Sequence, residues 1–322
     1  RQRRSQDAPT AVVGFKEWIF SHKAGALASF AAATEYAFAT VIQRDMSQGG
    51  VRLHYGHPDV FDKLYCMTRG GMSKATRGLH VSEDVMCGLN VLLRGGRIRY
   101  TEAVSCGKGR DMGFNSILAF ETKISTGNGE VFLTRDFARL TARMDIFRLL
   151  HFYHAGLGYF VTARFLMLTI YTQAWSMAVV ALSGAGLSNT NLLLLIQIGL
   201  VSSLPYLSQL AFETGIVNTF VVFVQQLLSG VIAFSIFRMQ TTAYYFSHDV
   251  LYGGAAYIHT GRGFAYRPSS FVQQYASYGR SHLHLGFELG LLAVVVAAAG
   301  GFGSAASYGA LMWAIWRVGG SM

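Results

Sequence analysis

Glu83-Asp84 and Lys108-Gly109-Arg110 are the residues of this chain whose types and spacing suit chemistry best. A carboxylate can take the proton from an acceptor hydroxyl. A cationic loop between glycines can hold a phosphate leaving group, because glycine lets neighbouring backbone N–H groups turn towards one anion. Adjacent side chains at a helix start diverge by about 100°. At most one of Glu83 and Asp84 can therefore point at a reaction centre, with the other in support. The competing reading of the pair is plain charge stabilisation of a helix N-terminus. For Gly107-Lys-Gly-Arg-Asp111 the competing reading is an ordinary solvated turn. The loop is not a nucleotide-binding P-loop, since no Ser or Thr follows Lys108 and the glycine spacing is wrong.

Arg69-Gly-Gly-Met-Ser-Lys74 is a second basic glycine loop with the same two readings. Thr260-Gly-Arg262-Gly is a weaker candidate for reaching back to a substrate. His54 and His57 have the look of a metal pair but lack a helical HExxH setting, so structural hydrogen bonding is favoured and no metal site is assigned. Cys66, Cys87 and Cys106 are odd in number and without CxxC spacing. They argue against a disulfide framework or a zinc site.

The elements that position these groups are legible in outline. Ser82 reads as a helix N-cap, with Glu83 and Asp84 in the first turn. Val85, Leu89 and Leu92 follow at helical spacing, and Gly95-Gly96 ends the run. Arg97 to Cys106 reads as a strand, and Asp111 as the cap of another helix. Gly127-Asn-Gly129 reads as a turn. Thr134 to His151 forms a basic amphipathic helix, with Phe137, Leu140, Met144, Phe147 and His151 on one stripe. Such a helix fits a cytosolic membrane surface or, alternatively, a place on the protein core.

Charge divides the chain. The 174 residues after Arg148 hold only nine charged side chains, whereas 21 of the 27 basic residues lie at or before Arg148. A soluble domain of that size needs more surface charge. The net charge of +10 admits nucleic acid, an anionic membrane surface or a phosphorylated substrate as partner; basic residues beside apolar stretches disfavour nucleic acid. Phe165 to Leu182, Leu192 to Ala211 and Gly215 to Phe237 match the ~20 residues that cross a bilayer. Leu285 to Gly301 and Ala305 to Trp316 are shorter. Residues 1–150 are thus expected to be a cytosolic catalytic portion, and residues 151–322 a region of four or five transmembrane helices with a polar loop at 238–284. The chain starts at Arg1 without a methionine, which reads as a fragment of a longer protein.

Several segments carry a resemblance. HYGHPDVFDKLYCMTRGGMSKATRGLHVSEDVMCGLN from His54, RGGRIRYTEAVSCGKGRDMGFNSI from Arg94, VGFKEWIFS from Val13 and YIHTGRGF from Tyr257 resemble the catalytic region of 1,3-β-glucan synthases, the fungal glucan synthase and plant callose synthase family. The resemblance implies an α/β GT-A-like catalytic portion followed by an α-helical transmembrane bundle, placed as a multi-pass protein in the plasma membrane. It implies UDP-glucose as donor and processive inverting transfer to a β-1,3-glucan chain. Ser82-Glu83-Asp84 is similar to the Thr-Glu-Asp element of related cellulose-synthase-like enzymes, which makes Asp84 or Glu83 the base. Lys108, Arg110, Arg69, Lys74, Thr260 and Arg262 would contact donor or acceptor. A Rho-type GTPase is the regulatory partner it suggests. The cofactor stays open, with Mg2+ accompanying UDP-glucose as one option. The competing class is a membrane channel, transporter or accessory subunit without catalysis.

Overall fold

The structure is a computed structural model and describes residues 9–53, 59–61, 82–183, 189–256 and 270–298. Strand β1 (Thr10–Ile19) is the centre of a sheet. Its Thr, Val, Phe, Trp and Ile side chains suit a pleated, half-buried surface. β2 (Asp59–Phe61) pairs with it antiparallel, and β3 (Arg97–Lys108) pairs parallel on the other side. A parallel pair needs a crossover, and the intervening chain includes α1 (Ala26–Tyr36), α2 (Gln43–Gln48) and α3 (Glu83–Leu93). The parallel ladder slips in mid-course: Phe15 faces Thr101, but Lys16 faces Ser105. Glu102, Ala103 and Val104 stand out to solvent at the slip. Such a bulge re-aims the strand beyond it, and it leaves Lys108 level with Ile19.

α3 has the ends the sequence implies. Ser82 occupies the N-cap position, although its side chain makes no capping hydrogen bond. Gly95 at φ 82° lets the Gly96 N–H reach the Val91 carbonyl at 2.8 Å, a glycine stop. Met86 and Leu89 pack with Met46, Val51, Leu53, Val131, Leu140 and Phe152. Gly88 lies so close to Leu53 that a Cβ there would overlap the Leu53 carbonyl. Gly88→Ala is expected to cost about 3 kcal/mol by forcing α3 off this backbone. Thermal unfolding measures it, and an unchanged midpoint would show that the contact yields freely.

α4 (Phe114–Leu133) departs from expectation twice. Its N-cap is Gly113, not Asp111, which is buried beside Arg110. Gly127 and Gly129 lie inside it rather than in a turn, and both are buried. Glycine there serves close helix contact, which overrides its local turn preference. The expected helix over 134–151 is two helices, α5 (Arg135–Thr141) and α6 (Ile146–Ala155). Thr134 Oγ1 accepts the Phe137 N–H and Asp145 Oδ1 accepts the Arg148 N–H, so each helix has its own cap. Phe137 and Leu140 pack into the core while Phe147 is exposed. The α5 half of the apolar stripe is therefore core, not a membrane-facing surface.

The remaining helices are α7 (Leu157–Leu182), α8 (Asn189–Thr214), α9 (Ile216–Leu228), α10 (Val231–Tyr252), α11 (Phe271–Tyr278) and α12 (His284–Ala298). These correct the expected GT-A-like α/β portion followed by a transmembrane bundle. Among the described residues the chain is mostly helical, with one three-stranded sheet. Among the same residues no helix is long and apolar enough to cross a membrane, which overturns the expected multi-pass placement in the plasma membrane. For one of the expected spans the reason is a break. Gly230, at φ 71°, cuts the expected span Gly215–Phe237 in two. The 13-residue α9 on its near side is only ~20 Å long against a ~30 Å hydrocarbon core. α7 and α8 are each continuous 26-residue helices, the first carrying Thr169, Thr172, Gln173 and Ser176 and the second Pro205.

The chain divides into two compact units, Arg1–Arg164 with Thr241–Tyr266, and Phe165–Gln240 with Arg267–Met322. In the second unit His282 stacks on Phe237 at 3.7 Å between ring centroids. Its Nε2 is 3.1 Å from the Phe237 carbonyl, which can only accept, so Nε2 carries the hydrogen and Nδ1 accepts from the Ser281 hydroxyl. Burial lowers its pKa from 6.5 to about 4. The folded form thus prefers the neutral ring, and the unfolded chain binds the extra proton first. Stability is therefore expected to fall as pH drops from about 6.5 to 4, by up to ~3 kcal/mol. His282→Gln should flatten that part of the stability–pH curve; an unaltered curve would assign the acid sensitivity elsewhere.

Candidate functional site

Gly107 and Lys108, expected in a loop, form the last residues of β3, and Gly109 to Asp111 follow them off the sheet. At that level β1 presents Glu17 and α1 presents Glu35, both buried. Lys108 Nζ donates to Glu17 Oε1 at 3.0 Å and to Glu35 Oε1 at 2.5 Å. The second oxygen of Glu35 takes Arg110 Nε at 3.1 Å. One carboxylate thus spans both cations of the loop. The Arg110 guanidinium also stacks on Phe120 of α4, 3.5 Å from the ring centroid, a favourable cation–π geometry. Its backbone N–H donates to Ser21 Oγ at 2.9 Å, and Asp111 Oδ2 is 3.9 Å from its Nη1. The Glu17 backbone N–H donates to Thr40 Oγ1.

The sequence singled out Lys108, Arg110 and Asp111 but missed Glu17 and Glu35. The signal was present: an acidic residue inside the apolar strand VVGFKEWI, and another in the Ala-rich helix ALASFAAATEY. Charges in such settings are buried only when paired. The Lys108 side chain is 16% exposed, so it is no freely solvated loop lysine. An ammonium has three donors. Two go to Glu17 and Glu35, and the third can meet an anion at the surface. The guanidinium and ammonium are pre-set by one shared partner, which limits the ordering cost of binding.

Asp84 is half-buried in the first turn of α3, and its Oδ1 accepts the Val85 N–H at 2.9 Å. Glu83 opens the same helix by its backbone; its side chain lies outside the described residues, as do His54, His57, Arg69, Lys74, Thr260 and Arg262. Among the described residues no group of three or more His, Cys, Asp or Glu side chains is placed to hold a metal ion. Cys87 is buried and Cys106 half-buried, both as free thiols.

A family profile described as "1,3-beta-glucan synthase component" matches residues 1–194 and 187–316. Callose synthase 12 of Arabidopsis thaliana is 40% identical over 301 residues, covering 89% of this chain. Callose synthase 11 is 38% identical over 301 residues, and Callose synthase 7 is 36% identical over 334 residues, or 98% of the chain; both are also from Arabidopsis thaliana. The chain spans 17% of the length of each of these relatives.

Proposed function

This chain belongs to the 1,3-β-glucan synthase family, and on that premise we propose that it is part of a glycosyltransferase polymerising glucose from UDP-glucose into β-1,3-glucan by processive, inverting transfer. The observation that supports this reading is the Glu35 bridge between Lys108, at the end of β3, and Arg110, just beyond Gly109, which ties two cations to one carboxylate. In the proposed reaction, Asp84 or Glu83 takes the proton from the hydroxyl at the growing glucan end. The hydroxyl oxygen forms a bond to the glucose anomeric carbon from the face opposite the diphosphate. The anomeric C–O bond breaks, and its electron pair leaves with UDP. The third Lys108 donor, with Arg110 behind it, offsets the charge that develops on the departing diphosphate. Arg69, Lys74, Thr260 and Arg262 are assigned to further donor and acceptor contacts. A Rho-type GTPase and a lipid membrane are partners of the longer protein under the same reading.

The test is glucose incorporation from UDP-glucose by membranes carrying the full-length protein, followed by linkage analysis. A polymer with 1,3 linkages is expected. Absence of incorporation at verified protein levels would overturn the assignment in favour of a non-catalytic channel or accessory subunit.

A further inference from the structure

The 3₁₀ turn Phe20–Lys23, between β1 and α1, touches the cation pair at a point the proposed reaction does not use. The ladder between β1 and β3 ends at Ile19 and Lys108, where β1 runs into this turn. A backbone amide just past the end of a ladder needs another acceptor. The Arg110 N–H finds it in Ser21 Oγ at 2.9 Å. Serine hydroxyls in turns ordinarily serve backbone groups only a few residues away; this one serves a group 89 positions further on. The turn itself is braced. The Ala24 N–H donates to the Ser21 carbonyl at 3.1 Å, and His22 Nδ1 donates to the Ile19 carbonyl at 2.9 Å. The Trp18 ring centroid stands 6.2 Å from that of Phe20 and 6.4 Å from that of His22.

The glycines beside Lys108 serve the same fastening. Neither Gly107 nor Gly109 takes a positive φ, so the fold does not use the freedom expected of them. A Cβ on Gly109 would stand 3.2 Å from Phe20 Cζ, and one on Gly107 3.9 Å from Phe20 Cδ1. Gly109 thus makes room for a ring. Successive strand positions point to opposite sides, so Phe20 lies behind Lys108 while Glu17 and Glu35 take its ammonium in front. Glu17, Phe20, Ser21 and Glu35 all belong to the one stretch from β1 through the turn to α1. The Arg110 guanidinium leaves the anchored backbone to meet the second Glu35 oxygen at 3.1 Å, so a shift of the Arg110 amide moves that cation with it.

We infer that Ser21 is a positioning residue for the cation pair: its hydroxyl anchors the Arg110 backbone and so keeps Lys108 and Arg110 together on Glu35. The inference rests on the reading of that pair as the group that meets the departing diphosphate. It is tested in the full-length protein with Ser21→Thr, Ser21→Val and Ser21→Ala at matched membrane levels. Thr keeps the hydroxyl, and Val has nearly the shape of Thr without it. Ala removes the hydroxyl without adding bulk, which guards against a Val variant that fails to fold. Amide hydrogen exchange of the peptide covering Gly107–Asp111, measured on the purified full-length protein, reads the anchor directly. Exchange should be several-fold faster in Ser21→Val and Ser21→Ala and parental in Ser21→Thr. In the same variants without the hydroxyl, kcat for glucose incorporation should fall roughly fivefold while the KM for UDP-glucose stays within about twofold, and Ser21→Thr should restore it. Faster exchange together with hydroxyl-dependent turnover supports the inference. Parental exchange in Ser21→Ala overturns the anchor. A parental kcat there, or an equal loss in Ser21→Thr and Ser21→Ala, overturns the positioning role. A parent that makes no polymer overturns the glucan-synthase reading, and the exchange rates then decide the anchor alone.

Discussion

Asp84→Asn or Glu83→Gln, whichever removes the base, is expected to lower glucan polymerisation by ~10²–10⁴-fold in the full-length protein while the KM for UDP-glucose changes little. The amide keeps the size of the acid but cannot accept the acceptor's proton. The two side chains diverge at the start of α3, so one substitution should be far more damaging than the other. Asp84 has an orienting contact, since its Oδ1 takes the Val85 N–H. α3 itself is held by Met86 and Leu89 in the core, which fixes the backbone from which either carboxylate projects. The measurement is initial rate against UDP-glucose at matched membrane levels. If both variants polymerise at the parental rate, the pair is a helix start and nothing more.

Lys108→Ala has the second large effect, and it acts on folding as well as on chemistry. Removing the ammonium leaves Glu17 and Glu35 buried beside an empty place, and breaking a buried pair from one side typically costs ~3–5 kcal/mol. Loss of synthesis in Lys108→Ala alone would therefore not isolate a role in charge compensation. Lys108→Met combined with Glu17→Gln keeps the volume and removes one charge of each sign, so most of the stability should return. Arg110 remains to pair with Glu35. If Lys108 meets the departing diphosphate, the double variant folds but polymerises roughly 10²-fold more slowly. Parental turnover in a stable double variant would assign Lys108 to the scaffold and move charge compensation to another residue.

Local pattern was enough where one segment carried the whole signal. The glycine stop of α3 and the strand from Arg97 were legible, because φ freedom and β propensity are properties of neighbouring residues; Gly107 and Lys108, expected in a loop, instead extend that strand. The family was legible too, from long runs such as the one starting at His54. The tertiary structure decided what those residues touch. Lys108 reads as a solvated loop charge until β1 and α1 bring Glu17 and Glu35 to its ammonium from 91 and 73 positions away. Gly127-Asn-Gly129 reads as a turn until α10 packs on it and makes small residues an advantage inside a helix. The run from Gly215 to Phe237 reads as one span until Gly230 takes a positive φ and divides it. In each case a pairing distant in sequence, or a single backbone angle, overrode the local preference. Burial free energy depends on which surfaces meet, and a linear pattern of residue types does not contain that.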